Sequence, residues 1–503
     1  MDSFVQLLQG FATAGTWENL LYCTIGVTIG MLVGVLPGLG PTTVTALLLP
    51  LTFGLDPIPA IIMLAGIYYG SMYGGTITTV LINTPGEAAS VITALDGYPM
   101  AKQGRAGTAL GVAAIGSFVG GTLSVVGLAF VAPPLARLAL EFGPAEFFAL
   151  IVLGLSLIVG LMGKSLIRGL IAALFGFILS LIGQDPITGS LRWTFGQPHL
   201  MGGLDFVTIA IGMFGLSEIL IAFEQKTEAG AKIAAKIKGL LPRREEWRPT
   251  IMSILRGTGI GFLIGLIPGS NTVIPNILSY TVEKRLAKDP PRFGKGAIEG
   301  VAGPETANNA YCGSALIPLF TLGIPSSPTI AILFGAFIMH GLTPGPTLMQ
   351  TDADLVWAII ASMFIGNLIL LIMNLPLAGM WARIALIPPR YLYPVVLIIC
   401  IIGAYTVSNS LWDVGVMLVF GIIGYLFRKL DIPLAPVVLT FILGNLMETS
   451  MMQALIGFQG NFLGFFQRPI SGTLLAVSIL IIALSVYSNI RNRRNLLGGD
   501  AEE

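Results

Sequence analysis

Apolar runs long enough to lie in a bilayer recur along this chain, and at two places half the chain apart they are broken in the same way. One break is Gly34-Val35-Leu36-Pro37-Gly38-Leu39-Gly40-Pro41-Thr42, the other Gly265-Leu266-Ile267-Pro268-Gly269-Ser270-Asn271-Thr272. An irregular backbone at membrane depth leaves N–H and C=O groups unpaired, so such breaks persist only where they line a cavity or pack in protein. Matching breaks in two halves of an apolar chain are the strongest sequence pointer to a central site between internal repeats.

The chain is 54% hydrophobic and 11% charged, with a mean hydropathy of +0.85, which leaves too few polar groups to cover a globular surface of 503 residues. The fold class is therefore an all-α polytopic membrane protein. A net charge of +1 excludes nucleic acid as a partner. With two histidines, His199 and His340, and with Cys23, Cys312 and Cys400 far apart, neither a transition-metal site nor a disulfide framework is expected. Met1 to Trp17 lacks the basic start and small-residue cleavage site of a secretory signal, so no segment is expected to be removed.

Apolar segments read at about 19–36, 42–53, 58–80, 107–131, 145–161, 166–182 and 206–222, and again at 251–267, 273–280, 315–337, 355–381, 394–405, 414–427, 435–446 and 472–487. This divides the chain into a membrane repeat over 1–223, a basic linker over 224–249, a second repeat over 250–490 and a polar tail over 491–503. Pro37 and Pro268, Gly75 and Gly313, Pro85 and Pro325, and Pro144 and Pro389 stand 231, 238, 240 and 245 residues apart, the slow drift expected of a duplicated unit with loop insertions.

Short loops rich in Lys and Arg mark the cytoplasmic side. The linker, with Lys226, Lys232, Lys236, Lys238, Arg243, Arg244 and Arg248, and the tail, with Arg491, Arg493 and Arg494, belong there. Lys102 and Arg105 lie in a loop whose second-half equivalent, 340–354, has no Lys or Arg and carries Asp352 and Asp354. Conversely, Lys284, Arg285, Lys288, Arg292 and Lys295 answer to 54–57, which has no Lys or Arg, and Lys164 and Arg168 face a partner at 409–413 that is also free of basic charge. Equivalent loops on opposite faces make the repeats inverted in topology, with broken helices or re-entrant hairpins meeting near the bilayer midplane.

The residues beside each break are small and polar: Gly38, Gly40, Thr42 and Thr43 in one half, Gly269, Ser270, Asn271 and Thr272 in the other. A second pair of breaks supplies Pro85 and Gly86, and Ser326 and Ser327. Each set precedes an apolar run, so helix starts and short side chains converge on one place, a setting for a carboxylate. Hard oxygen ligands for a sodium ion, or an acid for a proton, come from Asn83, Glu87, Glu305, Asn308, Asn309 and Thr329, with Asp205 and Glu218 as further intramembrane carboxylates. Glu305, in a polar run directly before an apolar segment, also reads as an acid at a helix start. Tyr68, Tyr69 and Tyr73 fit a cavity wall or an aromatic packing stripe equally. His340 reads as interfacial, and the 226–248 stretch as a linker able to meet a lipid headgroup or another subunit.

The run over 34–42, Pro304-Glu305-Thr306-Ala307-Asn308-Asn309-Ala310, Leu322-Gly323-Ile324-Pro325 and Pro344-Gly345-Pro346 closely resemble the large membrane subunit of the tripartite tricarboxylate transporters, the TctA family. The resemblance covers about 17–487. It implies a secondary carrier driven by Na+ or H+ that imports di- or tricarboxylates, with no other cofactor. The implied partners are a small TctB-like membrane subunit and a periplasmic TctC-like binding protein, with loops 54–57 and 340–354 as docking surfaces. The implied setting is the inner membrane of Gram-negative bacteria.

A channel would also tolerate polar breaks at membrane depth. An intramembrane enzyme using Ser314 or Ser117 with His340 finds little support, because no Gly-x-Ser-x-Gly elbow, His-Glu-x-x-His motif or P-loop occurs.

Overall fold

The computed structural model of the chain describes residues 2–36, 39–162, 165–224, 237, 239–384, 387 and 389–498. Pro37, Gly38, Lys164, Lys226, Lys232, Lys236 and Lys238 lie outside the described residues.

The first half comprises α1 (Asp2–Ala14), α2 (Trp17–Gly34), α3 (Pro41–Leu48), α4 (Pro57–Ile82), α5 (Val91–Lys102), α6 (Ala106–Ala139), α7 (Pro144–Met162) and α8 (Leu166–Ser180), then α9 (Phe206–Ala210) and α10 (Ser217–Glu224) joined by a π-turn over Ile211–Leu216. The second half comprises α11 (Trp247–Gly265), α12 (Val273–Leu286), α13 (Glu299–Ser314), α14 (Leu316–Leu322), α15 (Pro328–Met339), α16 (Leu348–Thr351), α17 (Ala353–Asn374), α18 (Ala378–Ile384), α19 (Pro389–Ser408), α20 (Leu411–Lys429), α21 (Leu434–Gly457), α22 (Gly464–Gln467) and α23 (Pro469–Gly498). Among the described residues, eight helical stretches are long and apolar enough to cross a membrane, as expected of an all-α polytopic membrane protein.

Prolines start many of these helices, at Pro41, Pro57, Pro144, Pro328, Pro389 and Pro469, where the missing N–H has no partner to lose. Two helices end alike: α4 at Asn83 and α14 at Gly323 both cap in the left-handed conformation, with φ of 55° and 68°. Asn83 and Gly323 stand 240 residues apart, the spacing of Pro85 and Pro325.

The tightest helix pairs are built on glycine. On α2, Gly26, Gly30 and Gly34 face the backbone of Met63, Ile67 and Ser71 on α4; on α11, Gly257, Gly261 and Gly265 face Gly303, Ala307 and Ser314 on α13. A Cβ at Gly30 would lie 2.5 Å from the Ile67 carbonyl oxygen, and one at Gly261 2.2 Å from that of Ala307. Four-residue glycine spacing lets backbones approach this closely, as small-residue stripes do in membranes. The two triads are 231 residues apart, matching Pro37 and Pro268.

The halves interlock rather than sit side by side. Gly116 and Gly120 of α6 pack on Thr306 of α13, while Gly366 of α17 packs on Tyr69 of α4. One continuous apolar core, running from Cys23 to Phe441, joins them.

Three differences from the sequence reading have physical causes. The stretch 315–337 is not one segment: α14 stops at Gly323 and α15 starts anew at Pro328. The polar run over 299–314 is a complete helix, α13, buried along its whole length. Glu305 is thus in a helix interior and not at its start. A short hairpin, Gly183–Gln184 paired with Leu191–Arg192, also interrupts the helices. Arg192 ties it to Glu448 of α21 through 2.5 and 2.9 Å bonds and to Asp185 at 3.2 Å. Backbone N–H groups of Thr188 and Ile187 hold the Asp185 carboxyl below the usual carboxylate range.

The basic loops gather on one face. Arg105 pairs with Glu246 beside the linker, and Gln103 donates to the Lys295 carbonyl at 2.7 Å. The acidic loops gather elsewhere: Asp56 and Pro57 share a cavity of about 660 Å³ with Glu18, Gln350, Asp352 and Asp354.

Candidate functional site

Three of the four breaks, together with Glu87 beyond the fourth, line one cavity of about 570 Å³. Gly40, Thr42 and Thr43 come from the start of α3, Asn271 and Thr272 from the start of α12, and Ser327 and Thr329 from the start of α15. Glu87 follows the break at Pro85, and the start of α21, Pro433 to Ala435, closes another side. Four helix N-termini therefore open onto one space, two of them from α12 and α15 and one each from α3 and α21. Each turns the positive end of a helix dipole toward it, about 0.3–1 kcal/mol of stabilisation for an anion apiece.

The side chains at these starts present donors. Asn271 Oδ1 accepts from the backbone N–H of Val273 and Ile274 at 3.0 and 3.2 Å, which leaves its amide NH2 to donate outward. Ser327 Oγ accepts from the Ile330 N–H at 3.3 Å, and its hydroxyl faces Tyr311. Thr42 and Thr329 join their hydroxyls at 2.8 Å across the cavity wall. Thr43 donates to the Phe214 carbonyl at 3.3 Å, inside the π-turn, where the wider winding places Phe214 in the wall as well.

Four other residues singled out from the sequence do not line this cavity. Gly269 has a φ of +76° and its missing Cβ would meet Ile158, so glycine is required by the turn and the packing. Gly86 packs against the Gly34 carbonyl and Gly75. The hydroxyls of Ser270 and Ser326 donate to backbone carbonyls, to Ile267 at 2.8 Å and Ala315 at 3.0 Å. These residues shape the breaks from behind. Pro85 and the exposed Asn83 lie outside the lining too.

Glu87 and Glu305 differ. Glu87 reaches the cavity and accepts from Asn308 Nδ2 at 2.6 Å, while Asn308 Oδ1 is buried without a hydrogen-bond partner among the described residues. Glu305 is sealed, its carboxylate accepting from Thr76 at 2.6 Å and from Thr93. Asn309 donates to Ser117 Oγ at 2.7 Å and also holds helix α13. Tyr69 and Tyr73 turn to Ser362 and Asn367 of α17, and Tyr68 is fully buried. Ser314 donates to carbonyls of its own helix, and no hydrogen bond joins Ser314 or Ser117 to His340 among the described residues.

Arg428 and Asp431 also line the cavity, beside Glu218. Sequence reasoning passes over Arg428, because a basic residue at a helix end looks like any other topology-setting charge.

Comparison with known proteins agrees with this architecture. The Tripartite tricarboxylate transporter TctA family matches residues 20–439. An "Uncharacterized 52.8 kDa protein in TAR-I ttuC' 3'region" of Agrobacterium vitis is 46% identical over 98% of this chain and 98% of its own length. An "Uncharacterized protein in TAR-II ttuC' 3'region" of the same organism is 45% identical over 47% of this chain and 97% of its own length. No solved structure matches. With a family match over most of its length and a near full-length relative, this multi-helix membrane protein belongs to the tripartite tricarboxylate transporter TctA family, and is a membrane component of such a transporter.

Proposed function

We propose that the chain is the carrier subunit of a cation-coupled symporter, and that the cavity between the breaks binds a di- or tricarboxylate. The observation that carries this reading is the convergence of four helix N-termini, with the amide of Asn271 and the hydroxyl hydrogen that the Thr42–Thr329 bond leaves over, on one cavity. Such a set favours a small anion.

Coupling follows from the charges of the same wall. Glu218 is paired with Arg428 and Asp431 with Arg168, but Glu87 has no ion-pair partner among the described residues. Two like charges 4 Å apart repel by about 4 kcal/mol at an effective dielectric constant of 20. An anion therefore enters favourably only when Glu87 is neutralised by a proton or accompanied by Na+. Glu87 with Asn308 is accordingly the leading coupling site, with Thr329 at the cavity edge, while Asn83, Glu305 and Asn309 stand further from the substrate.

The paired breaks, the two glycine triads and the separation of basic from acidic loops support an inverted repeat. Delivery of substrate by a periplasmic TctC-like protein, with a TctB-like small subunit in a bacterial inner membrane, is consistent with the family. The acidic cavity that joins 54–57 to 340–354 is the surface we assign to that docking. Uptake of labelled carboxylates by Gly40→Leu tests the site: nothing lies within 4 Å of a Cβ there, so the side chain fills the cavity without disturbing the fold. Abolished uptake in folded protein is expected, and normal uptake would remove the site.

A further inference from the structure

Among the described lining residues Arg428 is the one cationic side chain, and it is already occupied by a carboxylate: its Nη1 donates to Oε2 of Glu218. We propose that Arg428 binds a second carboxylate of the substrate and that Glu218 is its resident substitute, displaced when the substrate arrives. This rests on the carboxylate reading of the cavity and extends it to the choice of substrate class.

The pair is placed and built for exchange. Arg428 lies in the last turn of α20 and Glu218 in the first turn of α10, and both face the cavity that the four helix starts enclose. A carboxylate held at those starts leaves one end of a di- or tricarboxylate free to reach Arg428. Their side chains are 27% and 18% exposed, so water reaches the pair and a released Glu218 is not stranded in apolar surroundings. Only Nη1 engages Glu218; Nε and Nη2 have no hydrogen-bond partner among the described residues. The guanidinium fork is thus incompletely used, and a planar carboxylate presented along its edge can take two of its donors at once.

The neighbouring charges explain why the pair can open without separating its helices. One residue along α20, Lys429 pairs with Glu224 of α10, and Tyr425 donates to the same carboxylate at 3.0 Å. Neither Lys429 nor Glu224 lines the cavity. Asp431, the other acid near Arg428, is held at 3.2 Å by Arg168 of α8. The α10–α20 junction therefore has one ion pair turned to the outside, which fastens it, and one turned to the cavity, which is free to exchange.

Exchanging one carboxylate for another at Arg428 predicts selectivity. A monocarboxylate satisfies the helix starts but leaves Arg428 with Glu218, so it gains nothing from the arginine. A dicarboxylate gains charge-assisted hydrogen bonds, each able to shift affinity by about 10- to 100-fold.

The test uses the full chain in vesicles with its partner subunits and reads inhibition of labelled citrate binding by unlabelled citrate, succinate and acetate. In Arg428→Gln, citrate and succinate should weaken by about tenfold or more while acetate changes less than about threefold. Arg428→Lys should recover part of the loss. Glu218→Gln should tighten citrate and succinate, because the competing carboxylate is gone, and Lys429→Gln should leave the order of the three unchanged.

Equal weakening of all three acids by Arg428→Gln overturns the proposal. So does weakening by Glu218→Gln, the result expected of an ion pair that only holds two helices, and this second variant decides the matter if Arg428→Gln does not fold. Binding of all three acids with the same affinity in the wild type contradicts the role of Arg428 alone, whereas no binding of any carboxylate overturns the cavity's assignment as well.

Discussion

Thr42 and Thr329, 287 residues apart, join their hydroxyls at 2.8 Å where the start of α3 meets the start of α15. The bond ties a break in the first half to a break in the second, at the wall of the cavity. Removing either hydroxyl leaves the other without its partner. Thr42→Val and Thr329→Val should each raise the KM for carboxylate uptake by about tenfold, equivalent to one hydrogen bond to a charged ligand. The double variant should lose less than the sum of the two, and strict additivity would show that the hydroxyls act separately.

Glu87 and Glu305 should behave differently, since one faces the cavity and the other is sealed by Thr76 and Thr93. In Glu87→Gln, exchange of labelled for unlabelled substrate across the membrane should persist while accumulation driven by an ion gradient is lost. Glu305→Gln should keep its dependence on the gradient. Gradient-driven accumulation by Glu87→Gln at the wild-type level would place the coupling site elsewhere.

The glycine triads make a paired prediction about stability. A Cβ at Gly261 would stand 2.2 Å from a backbone oxygen of Ala307, whereas one at Gly259, on the same helix, meets nothing within 4 Å. Gly261→Ala should destabilise the purified chain by about 1–3 kcal/mol, as overpacking does. Gly259→Ala should leave it unchanged or slightly more stable, because alanine is the better helix former. Thermal unfolding in detergent distinguishes the two, and equal midpoints would mean that α11 and α13 are less closely packed.

Topology can be read by labelling. Lys102 and Thr347 are both exposed, and the three native cysteines are buried, so single cysteines at these positions report against a quiet background. Position 102 should be reached by an impermeant reagent only from the cytoplasmic side and position 347 only from the periplasmic side. Labelling of both from one side is incompatible with the inverted repeat.

The cavity's outline is legible in the sequence because helix starts have a local chemistry. Gly40-Pro41, Asn271-Thr272 and Ser327-Pro328 are capping and first-turn residues whatever surrounds them, and an apolar run follows each. Helix α13 was harder to read for a complementary reason. Glu299 to Ser314 is polar enough to pass for a loop, and it is buried because its carboxylate and amides find Thr76, Thr93, Ser117 and Glu87 on other elements, partners that no local pattern displays. The spacing that suggests a repeat is legible in the prolines, yet a second spacing consistent with it, two glycine triads 231 residues apart, is masked by the abundance of glycine along the chain. Arg428 is silent in sequence because only the packing of α20 on α10 reveals that it faces the cavity.

The most direct test of the central claim is uptake of radiolabelled citrate, then of other di- and tricarboxylates, into vesicles holding the chain with the small subunit and binding protein proposed for it. Sodium and proton gradients are imposed separately, with wild type beside Asn271→Ala, which removes both the cap of α12 and the outward amide. Accumulation under one gradient, abolished in Asn271→Ala that remains folded in the membrane, is the predicted result. Wild-type uptake that neither gradient drives, or that Asn271→Ala leaves intact, would contradict a carboxylate site at the meeting of the helix starts.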